Sequence, residues 1–69
     1  MIALSALPKN AKGIVKGLNT DVYNLTLGDR VKVRHIGSIQ ILVEVFSQDR
    51  REKIQIAVED ALKILVVPI

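Results

Sequence analysis

The sequence predicts a small all-β protein, a barrel of about five short antiparallel strands with one helical turn near the C-terminus. Its 69 residues suffice for one domain and no more. Its apolar residues recur mostly with period two, the spacing of a strand that buries one face. Turn-forming residues interrupt that alternation at short intervals, at Asn19-Thr20-Asp21, Leu27-Gly28-Asp29, Gly37-Ser38 and Ser47 to Glu52. Closure into a barrel removes most of the exposed edges that strands so rich in Val and Ile would otherwise present.

The elements follow in order. Gly13 introduces a first strand, Ile14-Val-Lys-Gly-Leu18. Arg30-Val-Lys-Val-Arg-His-Ile36 alternates charged with β-branched residues and reads as a half-buried second strand. In the third, Ile39, Ile41, Val43 and Val45 share one face, while Gln40, Leu42, Glu44 and Phe46 share the other. The polar tip Ser47 to Glu52 closes a hairpin, and Lys53-Ile-Gln-Ile-Ala-Val58 returns with Ile54, Ile56 and Val58 inward. Glu59-Asp60-Ala61-Leu62-Lys63 sets acids ahead of a base, as a helix dipole favours, but spans little more than one turn. Ile64-Leu-Val-Val67 is a last strand apolar on both sides, suited to a core or to pairing across a homo-oligomer. Pro68 is expected to end its ladder. No repeat, low-complexity stretch or linker divides the chain, so residues 1–69 are expected to form a single domain.

Composition excludes several classes of chemistry. With no cysteine there are no disulfides and no thiolate metal sites, and the lone His35 cannot hold a metal by itself. Ten Lys and Arg against seven Asp and Glu give a net charge of +3 without any block of like charge. The densest stretch, Asp49-Arg50-Arg51-Glu52-Lys53, mixes both signs and reads as a solvated turn. Tyr23 and Phe46 are the only aromatic residues, too few for a stacking platform, so nucleic acid is not the expected partner. Met1-Ile-Ala-Leu-Ser-Ala-Leu-Pro8 lacks the basic n-region of a signal peptide, and no segment reaches the roughly 20 apolar residues of a membrane span. A soluble, cytoplasmic protein is expected.

The residues that could do chemistry read as structural. His35 shares the parity of Val31 and Val33 and is expected partly buried or at the rim of its strand. Glu59 and Asp60 are adjacent, so on a helix their side chains diverge by about 100°. The glycines match neither a dinucleotide-binding nor a phosphate-loop spacing, and no serine sits in a strand–turn–helix elbow. No catalytic, cofactor-binding or metal residue is therefore assigned, and no enzyme is expected. Ile36, Leu42 and Phe46 are different: by parity all three fall on the outward face, where they form a candidate partner-contact patch.

Three segments carry a resemblance. Leu4-Ser-Ala-Leu7 leads into Asn10-Ala-Lys-Gly-Ile-Val-Lys-Gly-Leu18; Leu25-Thr-Leu-Gly-Asp-Arg-Val-Lys-Val33 follows; Ile56-Ala-Val-Glu-Asp-Ala-Leu-Lys-Ile-Leu-Val-Val67 closes the chain. Together they resemble the FeoA family of SH3-like barrels, the accessory proteins of ferrous-iron transport, whose domain is similar to the C-terminal domain of DtxR-type metal-dependent repressors. The last segment is the closest, with its strand, single helical turn and Ile-x-Val strand. The chain departs from the family in having only Thr20 to Asn24 where a longer helical insert usually stands, and in a longer hairpin tip at Gln48 to Lys53. The resemblance implies a non-enzymatic module of iron homeostasis that acts through a protein partner, a FeoB-type membrane GTPase. It also implies a family association with transition metals, for which this chain offers no ligand cluster. The alternative is a small nucleic-acid-binding barrel of Sm-like or KOW-like kind, suggested by the basic charge and by Gly28-Asp-Arg-Val-Lys-Val33, with Arg30, Lys32 and Arg34 as its contacts.

Overall fold

Alternation along each strand decides which side is buried, and here the five longer strands bury the same side of one sheet. The computed structural model describes residues 1–20 and 22–69. These form six strands: β1 (Ile2–Ala3), β2 (Lys12–Leu18), β3 (Arg30–Ile36), β4 (Gln40–Val45), β5 (Glu52–Ala57) and β6 (Ile64–Pro68). A 3-10 turn at Leu4–Ala6 follows β1, and a one-turn helix α1 (Val58–Ala61) joins β5 to β6. All pairings are antiparallel, in the order β1-β6-β2-β3-β4-β5. The small all-β architecture with its single helical turn is as the sequence predicts. The two-residue strand β1 is an addition that no periodicity could reveal at that length.

Val15, Val31, Val33, Ile41, Val43, Val45, Ile56, Ile64 and Val66 form one buried cluster with Leu4, Leu7, Leu25 and Ala61. A single sheet encloses such a cluster on one face only by rolling up, and the return of β6 beside β2 draws the roll together. The two edge strands, β1 and β5, bound the remaining gap. Leu4 of the 3-10 turn and Ala61 of α1, both fully buried, plug it from one side. From the other, the β2–β3 connection lies along β5: the Tyr23 hydroxyl accepts from the Ala57 N–H at 2.9 Å, and the Asn24 amide donates to the Glu52 carboxylate at 3.4 Å. These contacts cover the two ends of that edge strand. Asp21, the last of the expected turn residues after β2, lies outside the described residues.

Two bulges bend the sheet, between Val15 and Gly17 on β2 and between Val33 and His35 on β3. The second overturns the expected parity. Val33 lies opposite Val43, but His35 lies opposite Leu42 and Ile36 opposite Ile41. The extra residue, Arg34, therefore turns His35 to the outer face, where it is exposed, and not beside Val31 and Val33. Ile36 moves the other way, onto the face of the buried Ile41, at the open end of the roll.

Three further expectations are corrected at element ends. Ile39 belongs to the β3–β4 turn and is 80% exposed, because the Gly37 N–H donates to the Gln40 carbonyl and closes a tight reversal before β4 begins. A Cβ at Gly37 would sit 2.8 Å from that carbonyl oxygen, so the turn requires glycine. Val58 opens α1 rather than ending β5. Pro68 does not end the ladder: it pairs with Gly13, and the next N–H, from Ile69, donates to the Lys12 carbonyl at 3.0 Å.

Candidate functional site on the outer face of the sheet

With the inner face filled, what the molecule offers a partner is the outer face of the rolled sheet, and register builds it row by row. Val67 lies opposite Ile14 and Ile14 opposite Arg30; Phe46, just past β4, donates its N–H to the Arg30 carbonyl and extends the row. In the next row Lys12 faces Lys32, Lys32 faces Glu44 and Glu44 faces Lys53. In the third, His35, Leu42 and Gln55 lie side by side.

Leu42 and Phe46 thus share the outer face, both half-buried, but the Glu44 row separates them. Ile36 is 48% exposed on the opposite side of the sheet, so the three residues expected to adjoin do not form one patch. The bulge at Arg34 is the cause, and no alternation in the sequence signals it. What joins Phe46 instead is charge. The Lys12 ammonium stands 5.5 Å from the centroid of its ring, a cation–π contact of about 0.5–1 kcal/mol at such an exposed place. Arg30, Phe46 and Ser47, with Gly28 and Gln48, line an open cleft of about 380 Å³.

At the hairpin tip beside this cleft Asp49, Arg51 and Lys53 are exposed, as expected of a solvated turn, but Arg50 and Glu52 belong to a polar hub. Asp29, 6% exposed, is the buried charged residue of the described chain. Its Oδ2 accepts from the Thr26 N–H at 3.0 Å and pairs with Arg50 Nη1 at 2.6 Å, and its Oδ1 accepts from the Ser47 hydroxyl. The other arm of the Arg50 guanidinium reaches the Asn24 carbonyl and the Glu52 carboxylate. One planar fork therefore ties the turn before β3, the hairpin tip and β5 together. Asp29 follows a Gly in a turn, which hints at a carboxylate folded back onto its own backbone. Nothing in the spacing points to Arg50 as its partner.

At the other end of β5, the Tyr23 hydroxyl donates to Asp60 at 2.9 Å while it accepts from Ala57. The Ala57 N–H favours the phenolate, but partial burial, the bond to Asp60 and the negative charges of Asp60 and Glu59 outweigh it. The phenol is held above its ordinary value.

Among the described residues, no three His, Asp or Glu side chains converge as a metal site would require, and no helix is long and apolar enough to cross a membrane. The chain matches no family model, no curated protein and no solved structure.

Proposed function

We propose that this domain is a non-enzymatic accessory module of ferrous-iron transport that works in the cytoplasm by docking on a protein partner, a FeoB-type membrane GTPase. One observation carries the reading. The stretch where the resemblance to the FeoA family is closest, Ile56 to Val67, folds as the end of β5, one helical turn and the body of β6. Its apolar letters have structural jobs there: Ile56, Ala61, Ile64 and Val66 are all fully buried. The docking surface in this reading is the outer face that carries Leu42 and Phe46, where half-buried apolar side chains flank the Lys32–Glu44–Lys53 row and leave both apolar and charged groups for a partner.

The test is a titration of the isotope-labelled protein, followed through its amide NMR signals, with the soluble GTPase domain of the transporter from the same organism. Shifts grouped at Leu42, Glu44 and Phe46 are the expected result. An unchanged spectrum with that domain, together with salt-sensitive shifts at Arg30, Lys32 and Arg34 on adding a short RNA, would replace this reading with the nucleic-acid barrel.

A further inference from the structure

The ten Lys and Arg are dispersed in sequence, but the fold brings four of them onto the outer face. Lys12, Arg30, Lys32 and Lys53 all occupy the outer rows of β2, β3 and β5, and the acid among them is Glu44. Of the other acids, Asp29 and Glu52 are engaged by Arg50, and Asp60 accepts from Tyr23. The centre of the face is more unusual than its charge. Lys12 and Lys32 are direct cross-strand partners, and Arg30 is the next outward residue along β3. Like charges set directly opposite one another destabilise a sheet. Glu44, opposite Lys32, is the one carboxylate in these rows and is shared with Lys53, so positive charge is in excess there and an anionic ligand complements it.

We infer that the outer face binds an acidic polypeptide segment that also carries apolar side chains. Two features select polypeptide over nucleic acid. Lys12 already stands over the Phe46 ring, so that ring is not free on both faces to stack on bases. In addition, the bases are bordered by apolar residues on both sides, Ile14 and Val67 toward β6, and Leu42 on β4 with Phe46 just past its end. A phosphodiester backbone has nothing to offer these, whereas an amphipathic acidic segment places leucines there and carboxylates over Lys12, Arg30 and Lys32. This deepens the proposed docking role and rests on it only for the partner's identity, not for its chemistry.

The experiment uses three probes of equal length: a synthetic peptide of glutamates interspersed with leucines, its glutamine counterpart, and an oligouridylate. The glutamate peptide is expected to shift the amides of Lys12, Ile14, Arg30, Lys32 and Phe46, with affinity falling as salt rises. Lys32→Gln should weaken that binding by roughly five- to tenfold, the scale of one close charge pair. The same substitution should leave the melting temperature nearly unchanged, since it removes both the repulsion with Lys12 and the attraction to Glu44. A residue kept for structure would show the reverse, loss of stability with binding intact. Equal binding of the glutamine peptide, preference for the oligouridylate, or no shift with any probe would each overturn the inference. Binding of the glutamate peptide with no response to the transporter's GTPase domain would instead sink the ferrous-iron assignment and leave the acidic partner standing.

Discussion

Tyr23 shows how a single hydroxyl can hold two elements. It accepts from the N–H of Ala57, the last residue of β5, and donates to Asp60 within α1, so it anchors the β2–β3 connection to the end of the β5 edge. Tyr23→Phe leaves the Ala57 N–H without its acceptor and should cost about 1–2 kcal/mol, read as a lower urea midpoint at neutral pH. The pH dependence has a definite sign. Because the native phenol is held above its ordinary value of 10.0, the folded chain keeps the proton more tightly than the unfolded one. The stabilisation is therefore fully present below about pH 10 and is lost as pH rises through the raised value. Urea midpoints taken on either side of that pH should converge between wild type and Tyr23→Phe as the solution becomes more alkaline; curves that stay parallel would exclude the linkage. Neither this bond nor the Asp29–Arg50 pair was legible beforehand, since each joins residues far apart in sequence and depends on how connections lie across β5.

At the scale of elements, much more was legible. The strand Arg30–Ile36 and the β4–β5 hairpin were evident from alternation alone, because each buries one face against a common core and no other pattern satisfies that. The ends were not. Ile39 looked like the first inward residue of its strand, but the turn that Gly37 makes takes it out of the ladder. Ile36 and His35 changed sides because one inserted residue shifts every later side chain to the opposite face. A bulge of this kind answers to the curvature of the whole sheet, not to local preference. Gly37→Ala tests how tightly the turn is specified. Its Cβ would meet the Gln40 carbonyl oxygen at 2.8 Å, so the chain must open the reversal. We expect a loss of about 1–3 kcal/mol and disturbed amide signals confined to Ile36 through Ile41, read by thermal melting and NMR. A melt superimposable on wild type would show that the turn relaxes freely.

Across the whole molecule, stability is concentrated in one enclosed cluster. A domain of this size has roughly 3–10 kcal/mol to lose. Leu4 is fully buried at the place where the N-terminal 3-10 turn meets α1, so it closes the roll where no strand pairing does. Leu4→Ala should cost about 3 kcal/mol and leave a substantial fraction unfolded near physiological temperature, measured as denaturant midpoint and melting temperature. A cost below about 1 kcal/mol would mean that the plug collapses into the vacated space. The position of β6 has a kinetic consequence. Val15 has to wait for Val66, because the strand that draws the roll together is the last of the described strands to leave a ribosome, although its partner β2 is among the first. Until then the β2 edge is open and rich in Ile and Val. Pairings that span so much of a chain slow its search for the native state toward the millisecond-to-second range typical of small barrels. During that interval, and not in the folded protein, the molecule is most exposed to aggregation.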